Sequence, residues 1–262
     1  MKKTIGILTL IIVLAITLFA QSNKKQKMNT EKVKIEIWSD VVCPFCFIGK
    51  KKMEQAITKL NAEDKVEIIW HSFQLDPDFP KDTSVPSTKH LSEKKGYPVE
   101  QIKGMYTQLA NQGKEYGIDF QFDIALSFNT LDAHRLIQWA KTVNKSNELK
   151  EEFMLAYFTN GADLSQQENI LKVVSNVDLD TEKAKEILDT DAFAQEVEQD
   201  IYQSRQLGIR GVPYFLINEK EVISGAQNDK VFENVLSTAL KNAKPKETTS
   251  QEGICLPNGE CK

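Results

Sequence analysis

The stretch "VKIEIWSDVVCPFCFIGKKKMEQAI", residues 33 to 57, passes from a strand-like pattern through two cysteines into a helix-like pattern. Every second residue from Val33 to Ile37 is a branched apolar residue, which is the period of a strand with one buried face. Beyond the cysteines, apolar residues recur at helical spacing as far as Leu60. The sequence therefore predicts that Cys43 and Cys46 lie on the first turn of a helix that directly follows a strand.

The rest of the chain predicts a thioredoxin-like α/β fold that is interrupted by helices. "KVEIIWHSFQL", residues 65 to 75, is typical of a second strand, so the chain begins as strand, helix, strand. Residues 78 to 100 have the composition of an exposed connection, and from about Val99 to Ala194 the signals are almost all helical. One more helix, two short strands about an Asn218-Glu219-Lys220 turn, and a final helix complete the pattern.

These signals predict a discontinuous thioredoxin-like domain with an all-helical insertion. The predicted segments are a signal peptide or N-terminal anchor (1–22), the thioredoxin-like domain (33–78 and 192–243), the helical insertion (79–191) and a polar tail with a cysteine pair (244–262).

Composition argues against a nucleic-acid partner. The chain has 262 residues, of which 41% are hydrophobic, so it can bury a substantial core. Lys and Arg number 33 against 37 Asp and Glu, and a net charge of -4 offers no attraction to nucleic acid or to an anionic membrane surface. We expect the basic run Lys50-Lys51-Lys52 to be the solvated face of a helix.

The N-terminus has the layout of an export signal. Met1-Lys2-Lys3 precedes an uncharged, largely apolar run from Thr4 to Ala20, and a polar stretch follows. That run of 17 residues is also at the lower limit of a membrane span, so an uncleaved anchor stays open. Either form predicts a protein of the periplasm or cell envelope, whereas a start at Met28 would give a leaderless cytoplasmic chain.

The spacing of Cys43 and Cys46 suits reversible disulfide chemistry. Cysteines three positions apart on a helical turn lie about 5 to 6 Å apart at Cβ, so a disulfide forms with modest adjustment. A thiolate at a helix N-terminus faces unpaired N–H groups and the positive end of the helix dipole, which lowers its pKa. We therefore expect Cys43 to attack and the more buried Cys46 to resolve the mixed disulfide.

Two other roles for the cysteine pair are less well supported. Simple packing does not explain why this spacing, a strand-to-helix context and an export signal coincide. A zinc site would need Cys255 and Cys261 as its second ligand pair, and their longer spacing in a polar tail fits a tetrahedral site poorly. We therefore predict neither a metal nor another cofactor.

Four motifs, in the order "SDVVCPFCFIGKKK", "FQLDP", "NTLDAHRLIQWA" and "GIRGVPYFLIN", resemble the FrnE branch of the DsbA-like thiol-disulfide oxidoreductases, over residues 33 to about 240. The resemblance implies a thioredoxin fold with a helical insertion. It also implies that Val212-Pro213 forms a cis peptide facing the cysteines, with the Val212 backbone pairing with a substrate strand. From the residues alone, Val212-Pro213 is a turn or strand-start proline. Candidate residues lining the site are Pro44, Phe45 and His134, and the alternative for His134 is an ordinary histidine whose hydrogen bonds are satisfied.

The sequence departs from related folds at two places. Thioredoxin-like proteins often place a buried acid six residues before the first cysteine, and Ile37 stands there instead. Deprotonation of Cys46 is then expected to need another base or a water molecule. The intervening dipeptide is Pro-Phe, without the histidine of DsbA itself, so one donor to the thiolate is missing and strongly oxidising character is not implied.

Cys255 and Cys261 bracket the turn sequence "LPNGE" and are predicted to form a second disulfide. A loop of this size contributes about 2 kcal/mol in the loop-entropy model. We expect it to staple the tail, and the alternative is a second redox pair that relays electrons to Cys43 and Cys46.

The sequence as a whole predicts an exported thiol-disulfide oxidoreductase. Its expected partners are protein substrates bearing thiols or disulfides, together with an unidentified redox partner. Two rival interpretations are a glutathione-dependent isomerase of the same fold and a zinc-stabilised binding module. The 2-hydroxychromene-2-carboxylate isomerases resemble this fold but carry serine where Cys43 stands, which argues against the first rival.

Overall fold

The structure, a computed structural model, describes residues 31 to 243. The predicted signal or anchor and the predicted Cys255–Cys261 disulfide therefore lie outside the described residues. Four strands form the central sheet, namely β1 (Val33–Ser39), β2 (Val66–Ser72), β5 (Tyr214–Ile217) and β6 (Glu221–Ser224). Their order in the sheet is β2-β1-β5-β6. β1 pairs in parallel with β2 and antiparallel with β5, and β5 pairs antiparallel with β6.

The strand–helix–strand unit predicted from residues 33 to 75 is confirmed. Helix α1 (Pro44–Lys59) crosses from β1 to the parallel strand β2. The alternating apolar residues of β1 are at most 1% exposed, and Trp38 and Ser39 at the end of the strand are fully buried as well. Both faces of β1 are therefore covered where the strand leads into the cysteines.

The predicted hairpin between β5 and β6 is also confirmed. Asn218 and Glu219 have φ of 48° and 58°, and two successive positive φ values are typical of the type I′ turns that suit a twisted hairpin. The Asn218 side chain accepts a hydrogen bond from the Lys34 backbone N–H at 2.9 Å. The turn is thereby tied to the start of β1, which fixes the other end of β5 near the cysteines.

The predicted fold class, a thioredoxin-like α/β fold with a helical insertion, matches the described structure. The remaining helices are α2 (Ser87–Lys95), α3 (Val99–Glu115), α4 (Leu131–Thr142), α5 (Ser146–Phe158), α6 (Gln167–Asn176), α7 (Thr181–Leu188), α8 (Ala194–Gln206) and α9 (Asp229–Asn242). The exact boundaries of the insertion stay a prediction. Within residues 31 to 243, no helix combines the length and apolar composition needed to cross a membrane.

Two sequence-based expectations for the insertion were wrong. The segment 78–100 is more than an exposed connection, because it contains α2 and a short strand, β3 (Ser84–Pro86). β3 pairs antiparallel with β4 (Leu126–Phe128), which lies inside the block predicted to be helical. Strands of three residues are too short to show a period of two, and their pairing depends on contacts distant in sequence.

The expectation of a solvated lysine face on α1 was also wrong. Lys50 and Lys52 are only 2% and 5% exposed. The Lys50 ammonium pairs with Glu54 and, at 2.6 Å, with Glu151 of α5. Lys52 donates to the Gln227 carbonyl at 2.7 Å. Other elements cover this face of α1, and the lysines attach the helix to them.

Candidate active site

Cys43 and Cys46 occupy the start of α1, as predicted. Cys43 is the N-cap residue with an extended backbone, and Pro44 follows at the first helical position. The Cys43 carbonyl accepts from the N–H groups of Cys46 and Phe47 at 3.0 and 3.3 Å. Proline suits this position, because its missing N–H would have had no intrahelical partner. Both cysteines are present as free thiols.

The segment before β5 lies against Cys43. The Cys43 thiol donates to the Val212 carbonyl with a sulfur-to-oxygen distance of 3.6 Å. The Val212–Pro213 peptide is cis, which the family resemblance implied. Gly49 on α1 permits the approach of Pro213, since a Cβ there would lie 3.0 Å from the proline Cγ. The structure thus brings together two segments about 170 residues apart in sequence.

A cavity of about 350 Å³, here named the Cys43 cavity, opens beside the first turn of α1. Three predicted site residues, Pro44, Phe45 and Val212, line it together with Cys43. The remaining walls come largely from α2, α3 and the end of α5. Cys46 and His134 are not among the lining residues, and both are only 1% exposed. The cavity therefore gives access to one sulfur of the pair.

A buried polar cluster that the sequence did not predict lies behind the cysteines. Asp40, fully buried, accepts from the Val41 and Leu75 backbone N–H groups at 2.7 and 2.8 Å. His134 Nε2 lies 3.1 Å from Asp40 Oδ1. Lys150 of α5 is 1% exposed and donates to the Ser39 carbonyl at 3.2 Å. His134 is thus part of this buried polar cluster and does not line the cavity wall.

Asp40 and Lys150 bring opposite charges into this cluster. Burial raises the pKa of Asp40, but its hydrogen bonds with His134 and the Leu75 N–H, together with the charge of Lys150, outweigh burial and leave the pKa below its ordinary value. Burial lowers the pKa of His134, although the hydrogen bond with Asp40 raises it, so the neutral ring is favoured. Burial likewise lowers the pKa of Lys150 to about 8, against the attraction of Cys46 and Asp40. The cluster therefore contains an ionised carboxylate and a lysine whose charge is lost in mildly alkaline solution.

The pKa values of the two thiols differ in the direction opposite to the sequence-based expectation. The hydrogen bond with Cys46, together with burial, raises the pKa of Cys43 well above its ordinary value. Burial also opposes ionisation of Cys46, but hydrogen bonds from Cys43 and Ser39 and the charge of Lys150 bring its pKa below the ordinary value. Cys43 is also only 3% exposed. The expectation considered the helix terminus alone, whereas the hydrogen bond between the two sulfurs, with groups from β1 and α5, lowers the pKa of Cys46.

A family model described as the DSBA-like thioredoxin domain matches residues 34–237. The chain belongs to this family. It is a DsbA-like thiol-disulfide oxidoreductase, a class that acts on substrates bearing thiols or disulfides. The narrower assignment to the FrnE branch stays a prediction.

Three proteins illustrate the relationship. The uncharacterized protein YwbO from Bacillus subtilis (strain 168) is 29% identical over 213 residues, which cover 80% of this chain and 98% of YwbO. The probable DsbA oxidoreductase SCO1869 from Streptomyces coelicolor is 31% identical, with a TM-score of 0.79 over 88% of this chain and 98% of that one. The cytosolic disulfide reductase DsbM from Pseudomonas aeruginosa, 12% identical with a TM-score of 0.55 over 80% of this chain and 100% of its own, shares the fold alone.

We expect Lys150→Met to slow alkylation of Cys46 several-fold at pH 7. Loss of the buried positive charge raises the pKa of the Cys46 thiol, so less thiolate is present. Because wild-type Lys150 itself loses its proton near pH 8, the two proteins should converge as the pH rises above that value. Peptide-mapped alkylation of the reduced proteins between pH 6 and about 10 measures this difference.

The control for this prediction is Lys172→Met, an exposed lysine on α6. It should leave the alkylation profile unchanged. Removing one member of a buried group of charges leaves the carboxylate of Asp40 less compensated, so we expect Lys150→Met also to lower the free energy of unfolding, and the profiles are compared under conditions where both proteins are folded. Equal Cys46 profiles in Lys150→Met and wild type would contradict the assigned electrostatic role.

We expect Gly49→Ala to slow disulfide exchange while changing stability by no more than about 1 kcal/mol. The added Cβ would lie 3.0 Å from Pro213 and 3.1 Å from the Phe215 ring, so the segment that contacts Cys43 must shift. The gain in helix propensity offsets part of this cost. Gly104→Ala is the matched control, because Gly104 also lies within a helix and its new Cβ would meet nothing within 4 Å. Equal exchange rates in both variants would exclude a role for this contact.

Proposed function

We propose that this DsbA-like protein exchanges disulfides with polypeptide substrates outside the cytoplasm, through the Cys43-Pro44-Phe45-Cys46 motif. The observation that carries the proposal is the unequal placement of the two sulfurs. Cys43 lies in the wall of an open cavity and contacts the Val212 carbonyl, while Cys46 lies behind it. A pair arranged in this way can receive a substrate sulfur on one side and close its own disulfide on the other.

The reduced pair can reduce a substrate disulfide in two balanced steps. The Cys43 sulfur attacks one substrate sulfur, its proton passes to the Cys46 thiolate along their hydrogen bond, and the second substrate sulfur leaves as a thiolate. Cys46 then passes that proton to the departing substrate thiolate, attacks the Cys43 sulfur of the mixed disulfide and releases the first substrate sulfur as a thiolate. The substrate gains two electrons, and the protein gains a disulfide. The reverse sequence oxidises a dithiol substrate, and the reduction potential of the pair decides the direction.

Lys150 and Asp40 support this proton transfer from behind the pair. The Lys150 charge favours a thiolate at Cys46, whereas the Asp40 carboxylate disfavours one at Cys43. The resting proton is therefore held by the accessible sulfur. Transfer to Cys46 during attack needs no separate base, and in the resolving step the departing substrate thiolate accepts the Cys46 proton in place of a buried acid at position 37.

Polypeptide substrates are proposed on the position of the Val212 backbone. Val212 and Pro213 precede the first residue of β5, so an extended substrate bound there would continue the sheet geometry beside Cys43. A glutathione-dependent isomerase is the less favoured alternative, because Cys43 stands where those enzymes carry serine. Within residues 31 to 243, no cluster of three or more His, Cys, Asp or Glu residues is placed to hold a metal ion.

The proposal of an extracytoplasmic location rests on the N-terminal sequence. The fold does not assign a compartment, since one structure that shares it is named as a cytosolic reductase. We expect the full chain, expressed in a bacterial host, to fractionate with the cell envelope or the extracytoplasmic space. The chain started at Met28 serves as the control and should stay in the cytoplasm. Cytoplasmic recovery of both forms would exclude export.

We expect Cys46→Ser to accumulate mixed disulfides with substrate proteins, because the accessible sulfur remains and the resolving sulfur is lost. Cys43→Ser should trap little, since Cys46 lies behind the cavity wall and is 1% exposed. Non-reducing electrophoresis followed by peptide mass mapping measures both. Equal trapping by the two variants, or stronger trapping by Cys43→Ser, would overturn the assignment of attacking and resolving roles.

A further inference from the structure

Arg210 is an exposed cation on the segment that contacts Cys43. It lies two residues before Val212, whose carbonyl oxygen is 3.6 Å from the Cys43 sulfur. Two residues of chain span at most about 7 Å between Cα atoms, so the Arg210 backbone lies near the reacting sulfur. No other Asp, Glu, Lys or Arg occurs in residues 41–49 or 207–217, the two segments that meet at this contact.

The backbone on either side of Arg210 is fixed, while its side chain is left free. Ile209 is 6% exposed, and its N–H donates to the Ser204 carbonyl at 2.9 Å. Beyond Arg210, the Pro213 carbonyl accepts from the Gly225 N–H at 2.8 Å. Among the residues that the structure describes, none forms a hydrogen bond, ion pair or ring contact with the Arg210 side chain. The N–H donors of its guanidinium are therefore available to a binding partner.

The same segment also offers free backbone groups. The N–H groups of residues 210 to 212 donate to no acceptor within residues 31 to 243. A Cβ on Gly211 would meet nothing within 4 Å, so open space lies beside Arg210. An extended chain can pair with backbone groups of this kind. A substrate joined to Cys43 by a disulfide would then place the residues next to its cysteine beside Arg210.

Other charged groups around Cys43 already have partners. Asp76 lies 2.8 Å from His90 Nε2 and 2.5 Å from Lys94 Nζ, so these three side chains satisfy one another. The Asp40 carboxylate is fully buried and accepts backbone hydrogen bonds behind the cysteines. Arg210 therefore presents a positive charge that no described carboxylate pairs with. Charge complementarity across an interface acts on the choice of partner and on the rate of association.

We propose that Arg210 selects polypeptide substrates that carry Asp or Glu next to their reactive cysteine. This inference rests on the proposed function and specifies its substrate class. A guanidinium can bind a carboxylate through two parallel N–H···O hydrogen bonds, which gives the pair a defined geometry. The pair is exposed to solvent, so its effect is modest and falls as the salt concentration rises. Arg210 determines specificity and takes no part in the transfer of electrons.

The covalent steps for a reduced substrate balance with the disulfide form of the protein as oxidant. A substrate thiolate attacks the Cys43 sulfur, the Cys43–Cys46 bond breaks, and Cys46 leaves as a thiolate. The second substrate thiolate then attacks the substrate sulfur of the mixed disulfide and releases Cys43. The substrate thiols lose their protons to the solvent, and Cys43 takes one proton from it. Two electrons pass from the substrate to the protein.

The experiment compares three dithiol peptides with the oxidised full-length protein. The peptides are identical except that the residue after each cysteine is Glu in the first, Gln in the second and Lys in the third. The second-order rate constant of exchange is measured for each peptide after acid quenching. Because a neighbouring charge also alters the intrinsic reactivity of a thiol, each ratio of rates is compared with the same ratio in Arg210→Gln.

We expect the ratio of the Glu to the Gln peptide to be about threefold higher in wild type than in Arg210→Gln, which is within the range measured for exposed ion pairs. The ratio of the Lys to the Gln peptide should be lower in wild type by a similar factor. In about 1 M salt, where charges more than about 3 Å apart are screened, the wild-type ratios should approach those of Arg210→Gln.

Three further variants assign this preference to the charge of residue 210. Arg210→Glu should reverse the preference, so that the Lys peptide reacts fastest. Arg210→Lys should retain a preference for the Glu peptide. Arg205→Gln is the matched control, because Arg205 is also exposed, lies on the last turn of α8 and has no described side-chain partner, so its ratios should equal those of wild type. All these positions are exposed, so the free energy of unfolding should change little.

Dithiothreitol separates failure of this inference from failure of the proposed function. If the wild type exchanges with dithiothreitol but its peptide ratios equal those of Arg210→Gln, the role of Arg210 is wrong and the oxidoreductase proposal stands. If it exchanges with neither dithiothreitol nor the peptides, the proposed function itself fails. Equal ratios in Arg210→Gln and Arg205→Gln, or no reversal in Arg210→Glu, would also overturn the inference. A larger loss of rate in Arg210→Gln with glutathione than with the Glu peptide would assign the recognised carboxylate to a small thiol and overturn it too.

Discussion

The burial of Asp40 is the constraint on which the rest of the site depends. A carboxylate without solvent must be satisfied by hydrogen bonds and by opposite charge, or it would not stay ionised. Its partners come from the residue that follows it, from Leu75 beyond β2, and from His134 on α4. Satisfying this one side chain therefore brings the end of β1, the loop after β2 and the helical insertion to the same point, directly before Cys43.

The insertion consequently contributes to the chemistry as well as to the cavity. Lys150 of α5 acts on Cys46 from behind, and the rings of Tyr157 and Phe158 at the end of the same helix line the space in front of Cys43. One helix thus influences both the charge on the Cys46 sulfur and the wall of the Cys43 cavity. The ion pair between Lys50 of α1 and Glu151 of α5 holds the two helices in register.

The sequence predicted what depends on local pattern. The period of β1, the helix after the cysteines and the turn at Asn218 are properties of short segments, and the family motif added the cis peptide before Pro213. The sequence did not predict β3 and β4, the burial of Lys50, or the roles of Asp40 and Lys150. Each of these depends on contacts between segments distant in sequence, and a lysine on an amphipathic helix gives no sign of whether another element covers it. The expected order of the thiol pKa values was wrong for the same reason, because the Ser39 and Lys150 groups that lower the pKa of Cys46 lie outside the helix that carries the cysteines.

The position of Lys150 has a consequence for engineering. The Cys-Pro-Phe-Cys motif is only four residues long, but Lys150, the cation that acts on its second sulfur, belongs to a helix about a hundred residues further along the chain. Grafting the motif onto a minimal thioredoxin scaffold would transfer the cysteines without their electrostatic environment. Deleting the insertion from this protein would in turn leave Asp40 without His134 and Lys150. The cysteine motif therefore depends on the insertion for its electrostatic environment, and a shortened version of the protein must retain α4 and α5 to keep it.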